Sequence, residues 1–241
     1  MDPNEIEKMN RFEEIHWWFQ GKKFLIESII NSTDIPPGKF IDIGCGTGMF
    51  LNIIGRNRNA YGIDISEQAL SYCKNKGNRF LVRSSGDHLP FKKNVFSFVS
   101  LLDILEHVEN NYEVLKETYR ICKPKSVVLI TVPAFEFLWG THDISHHHKR
   151  RYTHSKLREL GLSAGFLIER LTYTNFFIFI PVLLRRIISR KLSTNKESDL
   201  RETPVIINNF LKWIYKFESF YLKKANFLFG VSLLMVLRKP E

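Results

Sequence analysis

The sequence predicts an α/β fold in which a mostly parallel sheet is covered by helices, and three observations predict it. From Phe40 onward, short apolar runs alternate with longer stretches of helical periodicity, the pattern of strands joined by crossover helices. The run Ile41-Asp42-Ile43-Gly44-Cys45-Gly46-Thr47-Gly48 reads as a strand that turns through a glycine loop into a helix. An acid, Asp64, closes the next apolar run, Ala60-Tyr61-Gly62-Ile63-Asp64.

Taken in order, residues 5–31 carry apolar positions at helical spacing (Ile6, Met9, Phe12, Ile15) and then the aromatic group Trp17-Trp18-Phe19, which predicts one N-terminal helix. Pro36-Pro37-Gly38 ends that pattern. Strands are expected near 39–43, 59–63, 79–83, 95–101 and 126–132, with helices at 47–55, 66–76 and 109–121 between them. Ser66 is placed to cap the second of these helices, with Glu67 in its first turn. A helix from Thr153 to Ala164 stops at Gly165, Phe166-Leu167-Ile168 begins a sixth strand, and Ser232 to Leu237 forms the last.

Between the last two strands lie some fifty-five residues, too many for a plain connection in a compact domain. The first part runs Phe176-Phe177-Ile178-Phe179-Ile180-Pro181-Val182-Leu183-Leu184 and continues with Arg185, Arg186, Arg190 and Lys191; so short an apolar run cannot span a bilayer as a helix. The last part sets Phe210, Trp213, Ile214, Phe217, Phe220 and Tyr221 at helical spacing, with Lys212, Lys216, Lys223 and Lys224 elsewhere on the wheel. Residues 193–203 read as a polar surface loop. The chain of 241 residues is thus expected to be a single domain (1–241): a helical cap over 1–37, a nucleoside-binding core over 38–173, a basic aromatic insertion over 174–230 and a last strand over 231–241.

A net charge of +10 and a pI near 9.5 favour an anionic partner: nucleic acid, a phosphate-bearing substrate or an acidic membrane surface. From residue 170 onward there are thirteen Lys or Arg against five Asp or Glu, so the excess is concentrated in the insertion. Segment 175–224 is read as an amphipathic surface for anionic lipid, or else as a lid or a dimer contact; the sequence does not fix an oligomeric state. Cys45, Cys73 and Cys122 form no CxxC pair, which fits a reducing compartment and argues against a cysteine metal site. The N-terminus has neither the basic start nor the apolar stretch of a signal peptide, so a cytoplasmic location is expected, peripheral at the inner face of the membrane if the insertion meets lipid.

The glycines let the backbone turn tightly and approach a ligand, and Asp64 can accept both hydroxyls of a ribose. A dinucleotide fingerprint wants its third glycine one residue later than Gly48, which makes a dinucleotide site a poor fit. Together with Gly86-Asp87-His88-Leu89-Pro90-Phe91 and Leu105-Glu106-His107-Val108, these segments resemble the successive motifs of the class I S-adenosylmethionine-dependent methyltransferases over residues 38–173. The resemblance implies a Rossmann-like seven-stranded sheet with its final strand antiparallel and helices on both faces. It also implies S-adenosylmethionine as donor and S-adenosylhomocysteine as product. In the donor set it places Gly44 and Gly46 by the methionine part, Asp64 at the ribose and Asp87 at the adenine amino group, with Asp42, Ile65 and His88 as further donor-binding residues. The backbone near Leu102 and Asp103 faces the methionine amino group.

A second constellation follows the fifth strand: Trp139-Gly140-Thr141-His142-Asp143, then His146-His147-His148-Lys149-Arg150-Arg151-Tyr152. Three adjacent histidines point different ways and seldom chelate one ion alone, so no metal is expected there. With Trp17-Trp18-Phe19 upstream, the His-x-Arg-Arg-Tyr pattern resembles a subgroup of bacterial and archaeal methyltransferases that act on lipid-linked, quinone or sugar-derived acceptors. His148 is the candidate base for deprotonating an oxygen or nitrogen acceptor, with Asp143 orienting it; a structural His–Asp pair in a basic loop is the competing reading. Trp18, His107, Trp139, Arg150, Arg151 and Tyr152 are the acceptor-side candidates, the two arginines for an anionic group. The expected function is methyl transfer to a small-molecule or lipid-linked acceptor. An RNA or protein methyltransferase is the alternative, and a non-catalytic binder the third reading. No Asn-Pro-Pro-Tyr-like motif follows the fourth strand, which argues against nucleic acid.

Overall fold

In the computed structural model, which describes residues 3–54, 59–192 and 202–241, the alternating apolar runs pair as one sheet. Its strands are β1 (Lys39–Ile43), β2 (Ala60–Asp64), β3 (Phe80–Arg83), β4 (Phe96–Leu102), β5 (Cys122–Pro133), β6 (Leu167–Thr174) and β7 (Ser232–Arg238). They lie in the order β3-β2-β1-β4-β5-β7-β6. All neighbours are parallel except β7, which runs antiparallel to both β5 and β6. The Rossmann-like sheet expected from the motifs is the one observed. The stretch 193–201, expected as a polar loop, lies outside the described residues.

Helices cover both faces: α1 (Pro3–Phe12), α2 (Trp17–Ser32), α3 (Met49–Ile54), α4 (Glu67–Asn75), α5 (Asn111–Ile121), α6 (Thr141–Ser145), α7 (His154–Ser163), α8 (Phe179–Leu192) and α9 (Val205–Leu222). Every residue of β4 is buried, as befits a central strand with cover on both sides. Ile41, Ile43 and Val99 pack with Val114 and Leu115 of α5 and Leu157 of α7 on one face. Phe40, Phe98 and Leu129 pack with Leu25, Ile26 and Ile29 of α2 and Tyr215 of α9 on the other. Order reverses between β1 and β4, whose carboxyl ends therefore diverge into a crevice where ligands bind in open α/β sheets.

One N-terminal helix was expected and two are found. His16 takes an extended conformation and its side chain accepts from the Trp18 amide at 3.3 Å, while Trp17 N–H donates to Asn208 Oδ1 at 2.7 Å. Side-chain acceptors thus satisfy first-turn donors, and a new helix starts where periodicity alone would have continued the old one. Helix α2 then packs along α9. An ideal Cβ on Gly21 would stand 2.2 Å from the Tyr215 ring, so glycine is what lets the two helices approach. The outward side of α9 carries Ile206, Phe210, Trp213, Phe217 and Phe220, all at least half exposed. Among the described residues no helix is long and apolar enough to cross a membrane.

Candidate active site

A cavity of about 590 Å³, within the roughly 300–1,000 Å³ of ordinary ligand sites, opens at the divergence of β1 and β4. Its floor is the glycine loop. Gly44 and Gly46 have φ of +74° and +53°, a region that non-glycine residues rarely adopt. A Cβ on Gly44 would stand 1.9 Å from Ile104 Cδ1, and one on Gly46 would stand 2.8 Å from Met9 Cε. The loop is stapled by Asp64, whose Oδ2 accepts from Gly46 N–H at 2.9 Å and whose Oδ1 accepts from Ser66 N–H at 2.8 Å. Ile65, Ser84, Ser85 and Gly86 continue the wall beside it. A side-chain-free backbone next to a carboxylate at the end of β2 fits an adenosyl group carrying a ribose diol.

The opposite strand supplies charge. Asp103, at φ +57° after β4, pairs with the buried Lys22 of α2 and accepts from Thr131 Oγ1 at 2.9 Å. Burial alone would raise its pKa, but the Lys22 ammonium and the Thr131 hydroxyl hold it below the usual carboxylate range. Leu102 and Asp103 both line the cavity, on the side where an amino acid head group would meet them.

Not every expected donor residue faces this space. Asp42 is buried beneath the loop, accepts from Ser100 Oγ at 2.6 Å, and is pushed by burial to a pKa of about 7; it supports the strand end from within the sheet. Asp87 and His88 are exposed, and Asp87 accepts from Ser85 Oγ at 2.5 Å, so the turn directs Ser84 to Gly86 inward instead.

The histidines come in from two loops. His107 follows β4; His142, His146 and His148 come from α6 and the residues after it. His148 Nδ1 lies 2.8 Å from Asp143 Oδ1. Asp143 is fully buried and is gripped by Arg151 through Nε at 2.8 Å and Nη2 at 3.0 Å, with Gly140 N–H donating to it at 2.8 Å. Those bonds outweigh its burial and keep Asp143 ionised, hence an acceptor only. Nδ1 of His148 must then carry the proton, which leaves Nε2 as the basic nitrogen. Burial, with the neighbouring histidines, pushes His107 and His146 down to about 4 and His142 well below its ordinary value.

The acceptor-side expectations divide. Trp18, His107 and Arg151 line the cavity; Trp139, Arg150 and Tyr152 do not. Arg150 Nη2 donates to the carbonyls of Val108 at 3.0 Å and Glu109 at 2.9 Å, and Tyr152 Oη donates to that of Leu105 at 2.9 Å. Arg150, expected with Arg151 to hold an anionic group, and Tyr152, an acceptor-side candidate, instead hold the loop after β4. Carbonyl oxygens leave no trace in a sequence, and basic residues there read by default as anion ligands. Lys22 and Glu106 were not foreseen. A lysine embedded among Phe19, Phe24 and Leu25 was the available signal for the first, and an acid between Leu105 and Val108 for the second.

Comparison with known proteins agrees with this geometry. The methyltransferase domain family matches residues 41–130, from β1 into β5. A demethylmenaquinone methyltransferase of Bacillus cereus is 30% identical over 237 residues, covering 92% of this chain and 87% of its own. An uncharacterized protein of Methanocaldococcus jannaschii is 36% identical over 110 residues, 45% of this chain and 42% of its own; with two others from that organism, the chain spans about half the length of these relatives. A SAM-dependent methyltransferase from Thermotoga maritima superposes with a TM-score of 0.64 over 98% of this chain and 95% of that one, at 19% identity, which speaks for the fold. A near-full-length match to a methyltransferase, with the methyltransferase domain matched from β1 into β5 and a sheet of this order, means that the chain belongs to the class I S-adenosylmethionine-dependent methyltransferases.

Proposed function

We propose that this protein transfers a methyl group from S-adenosylmethionine to a small molecule with an apolar body, quinone-like or lipid-linked. One observation carries the reading: the glycine loop and the histidine cluster share one cavity, and much of its remaining wall is apolar, from Trp17, Trp18, Phe19, Ile178, Val182 and Val231. Such a wall suits a ring or prenyl-like acceptor and suits a polynucleotide poorly. The Bacillus cereus relative, named for a demethylmenaquinone, supports a quinone-like ring.

Gly44, Gly46 and Asp64 would hold the donor, with Leu102 and Asp103 at its amino acid end. Bound there, the donor supplies an electrophilic methyl group on a sulfonium. His148 would take the acceptor's O–H or N–H proton on Nε2 while the acceptor atom displaces the sulfonium sulfur from the methyl carbon, the C–S pair leaving with S-adenosylhomocysteine, and Asp143 would stabilise the imidazolium. Arg151 fixes Asp143 and so sets the ring. Incubation with methyl-labelled donor and fractionated cell extract tests the substrate class: label is expected in lipid or small metabolites. Label confined to RNA or protein overturns it.

The insertion supports a membrane-borne acceptor. Exposed Ile180, Leu184, Ile187 and Ile188 on α8 and the aromatic stripe of α9, with Lys212, Lys216, Lys223 and Lys224 nearby, support resting on an anionic bilayer at the inner face of the membrane. Val182, Arg185 and Arg186 of α8 also line the cavity, giving a lipid-borne acceptor a short route inward. Flotation with phosphatidylglycerol vesicles should capture the protein and neutral vesicles should not. Equal capture by both removes this part of the proposal.

A further inference from the structure

We propose that Glu106, His107 and His148 form a site for a divalent transition-metal ion of the zinc class on the wall of the cavity. The inference rests on the proposed function only for its catalytic consequence.

The ligand atoms of these three side chains all lie within 4.8 Å of one another, and the residues come from separate loops, after β4 and after α6. Atoms about 2.1 Å from a tetrahedral ion sit about 3.4 Å apart, so closing on an ion takes side-chain movement on the order of an ångström. The carboxylate of Glu106 is fully buried, and neither oxygen meets a hydrogen-bond partner among the described residues beyond its own backbone N–H. A buried acid in that condition needs either a proton or a cation to complete it. Arg151 is committed to Asp143 and the Ala134 carbonyl, and Lys22 to Asp103.

The surroundings are those a metal ligand needs. His148 donates through Nδ1 to Asp143, the carboxylate–imidazole relay that fixes the tautomer and directs Nε2 toward an ion. The rings of His107 and His148 meet edge to face with centroids 4.7 Å apart. The loop carrying Glu106 and His107 is pinned at successive carbonyls: Tyr152 Oη to Leu105, Lys149 N–H to Glu106 at 2.8 Å, and Arg150 to Val108 and Glu109. The run 149–152 thus locks one ligand-bearing loop to the other, a supporting shell more rigid than loops usually offer.

One carboxylate oxygen and two imidazole nitrogens select zinc or a neighbouring first-row ion over magnesium or calcium, which favour sets made of oxygen. Three protein ligands leave a coordination position for water or an acceptor oxygen. With an ion bound, Nε2 of His148 would be occupied and the ion itself would lower the proton affinity of an acceptor hydroxyl; with the site empty, the same nitrogen is the base proposed above. The triple histidine set aside in the sequence contributes one member; its partners stand forty residues earlier in the chain.

The test uses the full chain, stripped with chelator and titrated with Co²⁺ and Zn²⁺ without donor or acceptor, read by calorimetry and by visible cobalt absorption. One ion per chain is expected, with at least about tenfold weaker binding in Glu106→Gln and in His148→Ala. His154→Gln, on the surface of α7, should bind as the parent does. Circular dichroism and melting of each variant separate a lost site from a lost fold, and His107→Gln carries the same test if either variant fails to fold. No saturable uptake by the parent overturns the proposal, as does uptake unchanged in Glu106→Gln and His148→Ala. Uptake with no methyl transfer to any extract fraction sinks the proposed function and leaves the ion site standing.

Discussion

Replacing Asp64 separates the loop contacts that its carboxylate makes from the ribose contacts proposed for it. An ionised carboxylate offers about four lone-pair positions. Two are used by Gly46 N–H and Ser66 N–H, which leaves two for the hydroxyls of a ribose. Hydrogen bonds to a charged group contribute about 1.5–3 kcal/mol each. Losing the backbone pair in Asp64→Ala should cost about 2–3 kcal/mol of stability, allowing for water reaching the freed amides; in a chain of this size that lowers Tm by about 5–10 °C. Losing the ribose pair should raise the donor Kd by at least about 100-fold, or some 2.7 kcal/mol. Asp64→Asn keeps the shape but sets an NH2 against one of the two backbone donors, so its melting loss should approach that of alanine while its donor affinity falls only about tenfold. Scanning calorimetry without ligand reads the first duty, and titration with S-adenosylmethionine and S-adenosylhomocysteine reads the second. If Asp64→Ala lost stability yet bound the donor within about threefold of the parent, Asp64 would be a loop staple only, and the donor assignment would fail at its central residue.

Three further outcomes follow from the packing and the buried acids. Gly21→Ala, which sets a Cβ 2.2 Å from the buried Tyr215 ring, should destabilise by about 1–3 kcal/mol in chemical denaturation; an unchanged midpoint means the α2–α9 interface is looser than described. Asp42, raised from 3.8 to about 7 chiefly by burial, contributes stability that is fully present below about pH 4 and lost as pH rises through 7. Asp42→Asn, which still accepts from Ser100, should therefore gain on the parent by roughly 2–4 kcal/mol between pH 5 and pH 8, and equal urea midpoint differences at the two pH values would refute the buried charge. His148→Ala should lower kcat by about 10²–10⁴-fold while leaving donor Kd within about threefold; loss of donor binding instead would assign His148 to the donor's own contacts.

The glycine loop, Asp64 and the positions of the strands along the chain were legible because each obeys a local rule: apolar alternation, a positive φ that glycine permits, a carboxylate at a strand end. The break before Trp17 was not, because its cause is Asn208, nearly two hundred residues away. The acid at 42 and the acid at 64 look alike in sequence, both closing apolar runs. Only the neighbouring β4, with Ser100 against Asp42, decides that one faces inward and the other faces the cavity. Likewise Arg150, Arg151 and Tyr152 advertise charge and aromaticity, whereas their partners are mostly main-chain oxygens that composition cannot reveal. His148 and Asp143 were legible as a pair because an interval of five spans the short turn after α6. Glu106 was not, since its meaning depends on burial.

Gly21 and Lys22 are consecutive in α2 and therefore point about 100° apart: one meets Tyr215 of α9, the other meets Asp103 in the cavity. The first contact has no slack, so the cation that faces the cavity is geared to the position of the outward aromatic helix. Occupancy of the surface that α9 presents and occupancy of the donor site then enter a single thermodynamic cycle. If a bilayer docks on α9 as proposed, whatever factor it applies to donor affinity a bound donor must return to it.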